Sequence, residues 1–143
     1  MEIETRCYTV GSETDPTDAK DALARRHPKL LVQAVKAETA SNESFVRMIC
    51  AETISAERSR ILLARKPEID LLLRLASTTQ ISVAIERVGA KKGEPFLMIA
   101  AGDGRSVRAI RPPATWKRLG RRALSKGELE RIERAALLNA ARG

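Results

Sequence analysis

Histidine, cysteine and clustered carboxylates carry much of enzyme chemistry, and this chain is poor in the first two. Its one histidine, His27, precedes a proline, and Cys7 and Cys50 lie far apart. One imidazole and two distant thiols do not complete a structural zinc set without carboxylate help. A Cys–His nucleophile would need the fold to deliver His27 to a thiol, and nothing in the spacing predicts that. Gly102-Asp-Gly104 and Lys92-Gly93 are too short to cradle phosphates. Glu128, Glu130 and Glu133 share a stretch with Arg131 and Arg134, which reads as ordinary helix-surface pairing. Asp70 has Glu68 two positions before it, but no second catalytic residue type accompanies them. The residues therefore propose no catalytic group, cofactor site or metal ligand, and the expectation is a protein that is not an enzyme.

What the chain does carry is positive charge: a net +8 and a pI of about 10.1. The charge is uneven. Residues 1–21 hold six acids and two bases, whereas residues 105–143 hold eleven bases and three acids. Such a balance favours a polyanion, and nucleic acid leads the candidates. Three basic clusters stand out: Arg65-Lys66, with Arg74 nearby; Lys91-Lys92; and Arg105, Arg108, Arg111, Lys117, Arg118, Arg121 and Arg122. Arg74 sits between leucines, so its guanidinium must reach solvent, a ligand or a carboxylate. Trp116 either packs the basic segment onto the domain or offers a stacking face.

The elements that position these groups follow from hydrophobic period and caps. Residues 1–10 alternate as a first strand. Asp15-Pro16 is a cap followed by proline at the first helical position, and that helix ends at His27-Pro28. Leu30–Val35 reads as a second strand. Ser41 or Asn42 caps a helix presenting Phe45, Met48 and Ile49, and helical pattern resumes from Ser55 to Leu63, as one bent helix or two. Ile69–Leu75 is apolar on both faces and reads as a central strand. Ser77 and Gln80 then form a capping box for a helix whose stripe is Ile81, Ala84, Ile85 and Val88, with Gly89 as a left-handed stop. Phe96–Ala101 is another buried strand, Gly102–Gly104 a tight turn, and 107–110 a short antiparallel strand. Ser125 and Glu128 cap a terminal helix.

At 143 residues, 43% of them hydrophobic, the chain suits a single domain, 1–143. The expected class is α/β (α+β), with helices on a mixed, largely antiparallel sheet. Aromatics make up only 3%, so the core must be aliphatic, and a module stacking many bases on exposed rings is disfavoured. The acidic start is unlike a secretory leader, no apolar run is long enough to cross a bilayer, and two separated thiols suit a reducing compartment. These features lead to the expectation of a cytoplasmic protein with no membrane partner.

The run from Ile69 to Gly89, Ile-Asp-Leu-Leu-Leu-Arg-Leu-Ala-Ser-Thr-Thr-Gln-Ile-Ser-Val-Ala-Ile-Glu-Arg-Val-Gly, resembles the central segment of the Cgi/TPRKB-type small subunit of the KEOPS complex. Gly93–Ala101 resembles that family's next strand and Leu129–Leu138 its closing helix. The likeness is good over roughly residues 41–101 and 125–139, and over the first forty it extends only to length and element order. Ser77 stands where the family pattern has glycine and Thr79 where it has arginine, so no RNA contact is carried over to that corner. The resemblance implies a non-catalytic subunit that binds the complex's small atypical kinase/ATPase directly and its catalytic subunit indirectly. It also implies recruitment of tRNA through the 3′ CCA end for threonylcarbamoyladenosine modification beside the anticodon. Charge near the family-like segment makes Arg65, Lys66, Arg74, Lys91, Lys92 and Arg108 the expected RNA contacts. The rival expectation is a pure adaptor of the kinase that ignores tRNA.

Overall fold

The computed structural model describes residues 2–142. Four strands, β1 (Ile3–Val10), β2 (Leu31–Lys36), β3 (Phe96–Asp103) and β4 (Lys117–Arg118), form one sheet in the order β2-β3-β1-β4. Every pairing is antiparallel, which replaces the mixed sheet expected above by a purely antiparallel one. β3 inserts between β1 and β2, placing Cys7 and Gln33 on either side of Ile99. The class is α+β, as the sequence indicates. Six helices pack on the sheet: α1 (Pro16–Arg26), α2 (Glu43–Arg58), α3 (Pro67–Ala76), α4 (Ile81–Val88), α5 (Gly104–Arg108) and α6 (Lys126–Arg142).

Strand alternation divides the core in two. Cys7, Leu31, Val35, Leu97 and Ile99 face Phe45, Ile49, Leu71 and Leu75 of α2 and α3, with Ala84 and Ala135 from α4 and α6. Tyr8, Val10, Val32, Phe96 and Met98 face Leu23 of α1 and Val107 of α5. Both faces of β3 are therefore dry, as its continuous apolar run requires. Cys7 and Cys50 are free and buried in the first cluster. Burial pushes the Cys50 thiol up to about 12 and raises that of Cys7 further. No described helix is long and apolar enough to cross a membrane.

Residues 69–75 lie in a helix, not in the expected strand. Pro67 sits at its start with φ already suitable, the segment is rich in leucine, and Asp70 and Arg74 are one turn apart. Seven consecutive residues, Asp70–Ala76, are buried. A helix buried all round loses the polar face that would mark its period. Ser77 closes this helix in the left-handed region, φ 55°, instead of opening the next one. α4 begins after Gln80, whose N–H donates to Thr78 Oγ1 (3.1 Å). Of the predicted α4 stripe, Ala84 and Val88 are buried, while Ile81 and Ile85 stand half-exposed. Gly89 is extended, φ −63°, so its role is not a left-handed stop. It bridges Val35 on the outer edge of β2, and a Cβ there would lie 2.6 Å from the Ile85 carbonyl oxygen. β3 runs on to Asp103, which caps α5 by accepting from the Ser106 N–H (3.0 Å) and hydroxyl (2.7 Å). The expected turn at 102–104 and strand at 107–110 are thus replaced by a strand end and a helix. α2 is a single helix ending at Arg58, leaving Ile61–Leu63 in the following loop.

Of the three destinations open to Arg74, solvent, a ligand or a carboxylate, it reaches a carboxylate. It donates through Nε to Asp70 Oδ1 (2.7 Å), and onward to the Ala135 carbonyl (2.9 Å) and Asn139 Oδ1 (2.8 Å) of α6. Asp70 also accepts from Thr53 Oγ1 of α2 (2.6 Å) and the Leu63 N–H (2.9 Å). This pair fastens α2, α3 and α6 inside the core. Removing one partner leaves a buried charge unmatched, so Arg74→Met is expected to cost about 3–5 kcal/mol, read from urea unfolding with an unchanged m-value. A loss below about 1 kcal/mol, the range of surface pairs, would contradict the account. Gly89→Ala is expected to destabilise by about 1–3 kcal/mol, because its new methyl meets backbone that cannot move aside; an unaltered Tm would contradict it.

Candidate nucleic-acid interface

The terminal basic segment is an irregular strap that the sheet and α2 hold down. Trp116 packs on Tyr8 with ring centroids 5.7 Å apart, which favours the packing role considered for it. The Leu119 N–H donates to the Cys7 carbonyl (2.7 Å), and the Glu43 N–H to the Gly120 carbonyl (2.8 Å). Leu119 and Leu124 pack against the first core cluster. Beyond the strap, Glu128 and Ser125 form the predicted capping box (2.9 and 3.1 Å), and Asn42 Nδ2 donates to Glu128 (2.5 Å). Asn42 itself caps α2, accepting from the Phe45 N–H at 3.1 Å.

Glu43 is the centre of this arrangement. Its carboxylate is fully buried and accepts from Arg118 Nη2 (2.5 Å) and Nε (3.3 Å), Arg121 Nε (2.6 Å) and the Cys7 N–H (2.8 Å). Burial works to raise its proton affinity. The Arg118, Arg121 and Cys7 hydrogen bonds outweigh burial and hold the carboxyl below the usual carboxylate range. Arg121 also donates to the Thr5 carbonyl (3.2 Å) on the outer edge of β1. The outer sides of Arg118 and Arg121 remain 44% and 48% exposed.

Those outer sides line a cleft of about 480 Å³ with Arg6, Arg47, Glu2 and Glu4. Glu4 is matched by Arg108, whose Nη1 lies 2.6 Å away. Arg6 and Arg47 have no acidic partner among the described residues. Lys117 and Arg122 extend the positive surface along the strap. Four guanidinium groups, two of them fixed from behind by a buried carboxylate, give a preorganised site for an anion with several acceptor oxygens, such as a phosphodiester.

None of the six expected contacts lines this cleft, and only Arg108 touches a lining residue, through its ion pair with Glu4. Lys91 and Lys92 lie at the opposite end of β1, where Lys92 is 3.9 Å from Asp15. Glu4 and Val10 are six strand positions apart, about 20 Å. Arg65 and Lys66 are exposed at the start of α3, on the first-cluster side of the sheet. Arg74 is 2% exposed and committed to Asp70, so the structure removes it from any RNA surface. Arg118 and Arg121 stand out in the sequence as part of a basic cluster. Arg6 and Arg47 carry no local signal, because only the fold brings strand β1 and helix α2 beside the strap.

No protein-family model matches the chain, and no curated protein matches it significantly.

Because the Glu43 carboxyl is held below its ordinary range, its contribution to stability is present above the ordinary carboxylate pKa and is lost as pH falls through the folded value. Glu43→Gln is expected to lower Tm at pH 7 and to shrink that difference toward pH 3. An equal Tm at pH 7 would contradict the strap's dependence on this carboxylate.

Proposed function

We propose that this chain is a non-catalytic, RNA-binding accessory subunit of the KEOPS type, recruiting tRNA through its 3′ CCA end and attaching to the complex's small kinase/ATPase. The observation that carries the nucleic-acid part is the arginine cleft, in which Glu43 holds Arg118 and Arg121 while Arg6 and Arg47 have no acidic partner among the described residues. The net charge of +8 agrees with a polyanionic ligand. The KEOPS part rests on the likeness of residues 69–89, 93–101 and 129–138 in sequence, with 69–75 helical rather than extended. On this reading the phosphodiester backbone lies across the strap between Arg47 and Arg108.

The test is tRNA affinity as a function of salt. Neutralising phosphate contacts releases counterions, and each contact adds nearly one unit to the slope of log K against log salt. Arg6→Glu with Arg47→Glu is expected to weaken binding at least tenfold and to flatten that slope by about two. Lys91→Glu with Lys92→Glu, remote from the cleft, is expected to change affinity less than threefold. Removing the terminal CCA is expected to weaken binding of the native chain. Equal affinity for intact and truncated tRNA would leave only nonspecific charge, and an unaltered slope in the arginine variant would overturn the cleft.

A further inference from the structure

Farther along α2 from Glu43, α2 and α6 leave a groove of about 340 Å³ between them. Met48, Ala51, Glu52 and Ser55 line it from α2, Ile61 from the loop beyond, and Ala136 and Asn139 from α6. The α2 residues recur at helical spacing and form one stripe. Met48 and Ile61 are 43% and 52% exposed, and the alanines leave room for close backbone approach. Within this apolar setting lies Glu52, whose Oε1 is shut off from solvent without a hydrogen-bond donor among the described residues. Arg74 also borders the groove, but its hydrogen bonds go to Asp70, Ala135 and Asn139.

We propose that the α2–α6 groove is a protein-docking surface for an apolar helix of a partner chain that sets one lysine or arginine against Glu52. An amphipathic helix laid in a groove buries just such a stripe of large residues over small ones. Covering Glu52 with a purely apolar surface would hold its carboxyl in the neutral form and leave it without a hydrogen-bond partner, which carries a penalty. A partner cation removes that penalty and fixes the register of the helix. Nucleic acid does not suit the site, since the groove offers it a carboxylate and methyl groups. None of its residues belongs to the arginine cleft, so the proposal stands whether or not the RNA reading holds.

Burial has already pushed the Glu52 carboxyl up to about 7, with the Arg74 guanidinium lowering it and Asp70 raising it. A cation is held by the ionised form, so docking weakens as pH falls below 7.

The experiment selects from a displayed library of helical peptides with one randomised face, against the full chain at pH 8. Selected peptides are expected to pair apolar residues with a single lysine or arginine. Their affinity should fall at least tenfold on Met48→Lys or Glu52→Lys, at least threefold on Glu52→Gln, and at least threefold for the native chain at pH 6. Glu52→Gln should melt no lower than the native chain at pH 8, which separates a lost contact from a lost fold, and tRNA affinity should be unchanged in all three variants. The proposal is overturned if no peptide is selected, if the peptides lack a base, or if Met48→Lys leaves their binding intact. It is equally overturned if the chain alone sediments as a dimer that Glu52→Lys dissolves, because the occupant is then a second copy.

Discussion

A fully buried carboxylate, that of Glu43, is the contact on which the rest of this structure depends. Taken out of water alone, such a group would be costly by several kcal/mol. Here the N–H of Cys7 and the guanidinium groups of Arg118 and Arg121 surround it. The donors come from two distant parts of the chain, β1 and the strap, so matching the charge also assembles the molecule. β1 is fixed against the start of α2, and the strap is drawn across both. The same constraint orients the outer halves of the two arginines, which makes the cleft rigid where it would meet a ligand.

α2 serves two such centres. Near its start Asn42 and Glu43 hold the strap and the beginning of α6, while farther along Thr53 meets the Asp70–Arg74 pair. Around these polar anchors the packing is largely aliphatic on both faces of the sheet, with Cys7 and Ile99 on one face and Tyr8 and Met98 on the other. The outer edge of β2 is closed in a similar spirit. Gly89 bridges Val35, Lys36 donates to the Glu86 carbonyl, and the side chain of Gln33 accepts from the Ala34 N–H. An edge so occupied is a poor template for another strand.

Much of this was legible in the residues. Asp15-Pro16 and the Ser125–Glu128 box mark true helix starts, because capping is local chemistry that neighbouring side chains complete. β1, β2 and β3 follow from alternation or from short apolar runs. The Ile69–Leu75 segment misleads because burial on every side erases the helical period, leaving length and leucine content as the only marks. Asp103 was hidden for another reason: a cap and a turn use the same residue types. The cleft was half legible. A run of arginines announces charge, but Glu43 and Arg118 meet across 75 positions, and no local pattern records that contact. Arg74 shows the converse, since its basic character suggested a surface while its leucine neighbours left solvent, a ligand or a carboxylate open, and the fold supplies Asp70.

The surface then divides by chemistry. The strap side gathers guanidinium groups about Arg47 and Arg118, whereas the α2–α6 groove gathers methyl groups around one acid. The claim at the centre of this account is that the arginine cleft, and not the basic residues elsewhere, receives RNA. Hydrogen–deuterium exchange of the chain with and without tRNA tests it most directly. Added protection over residues 3–6, 44–48 and 117–122, with none at 65–66 or 91–94, is the predicted result. Protection concentrated at 91–94, with the strap unchanged, would contradict it.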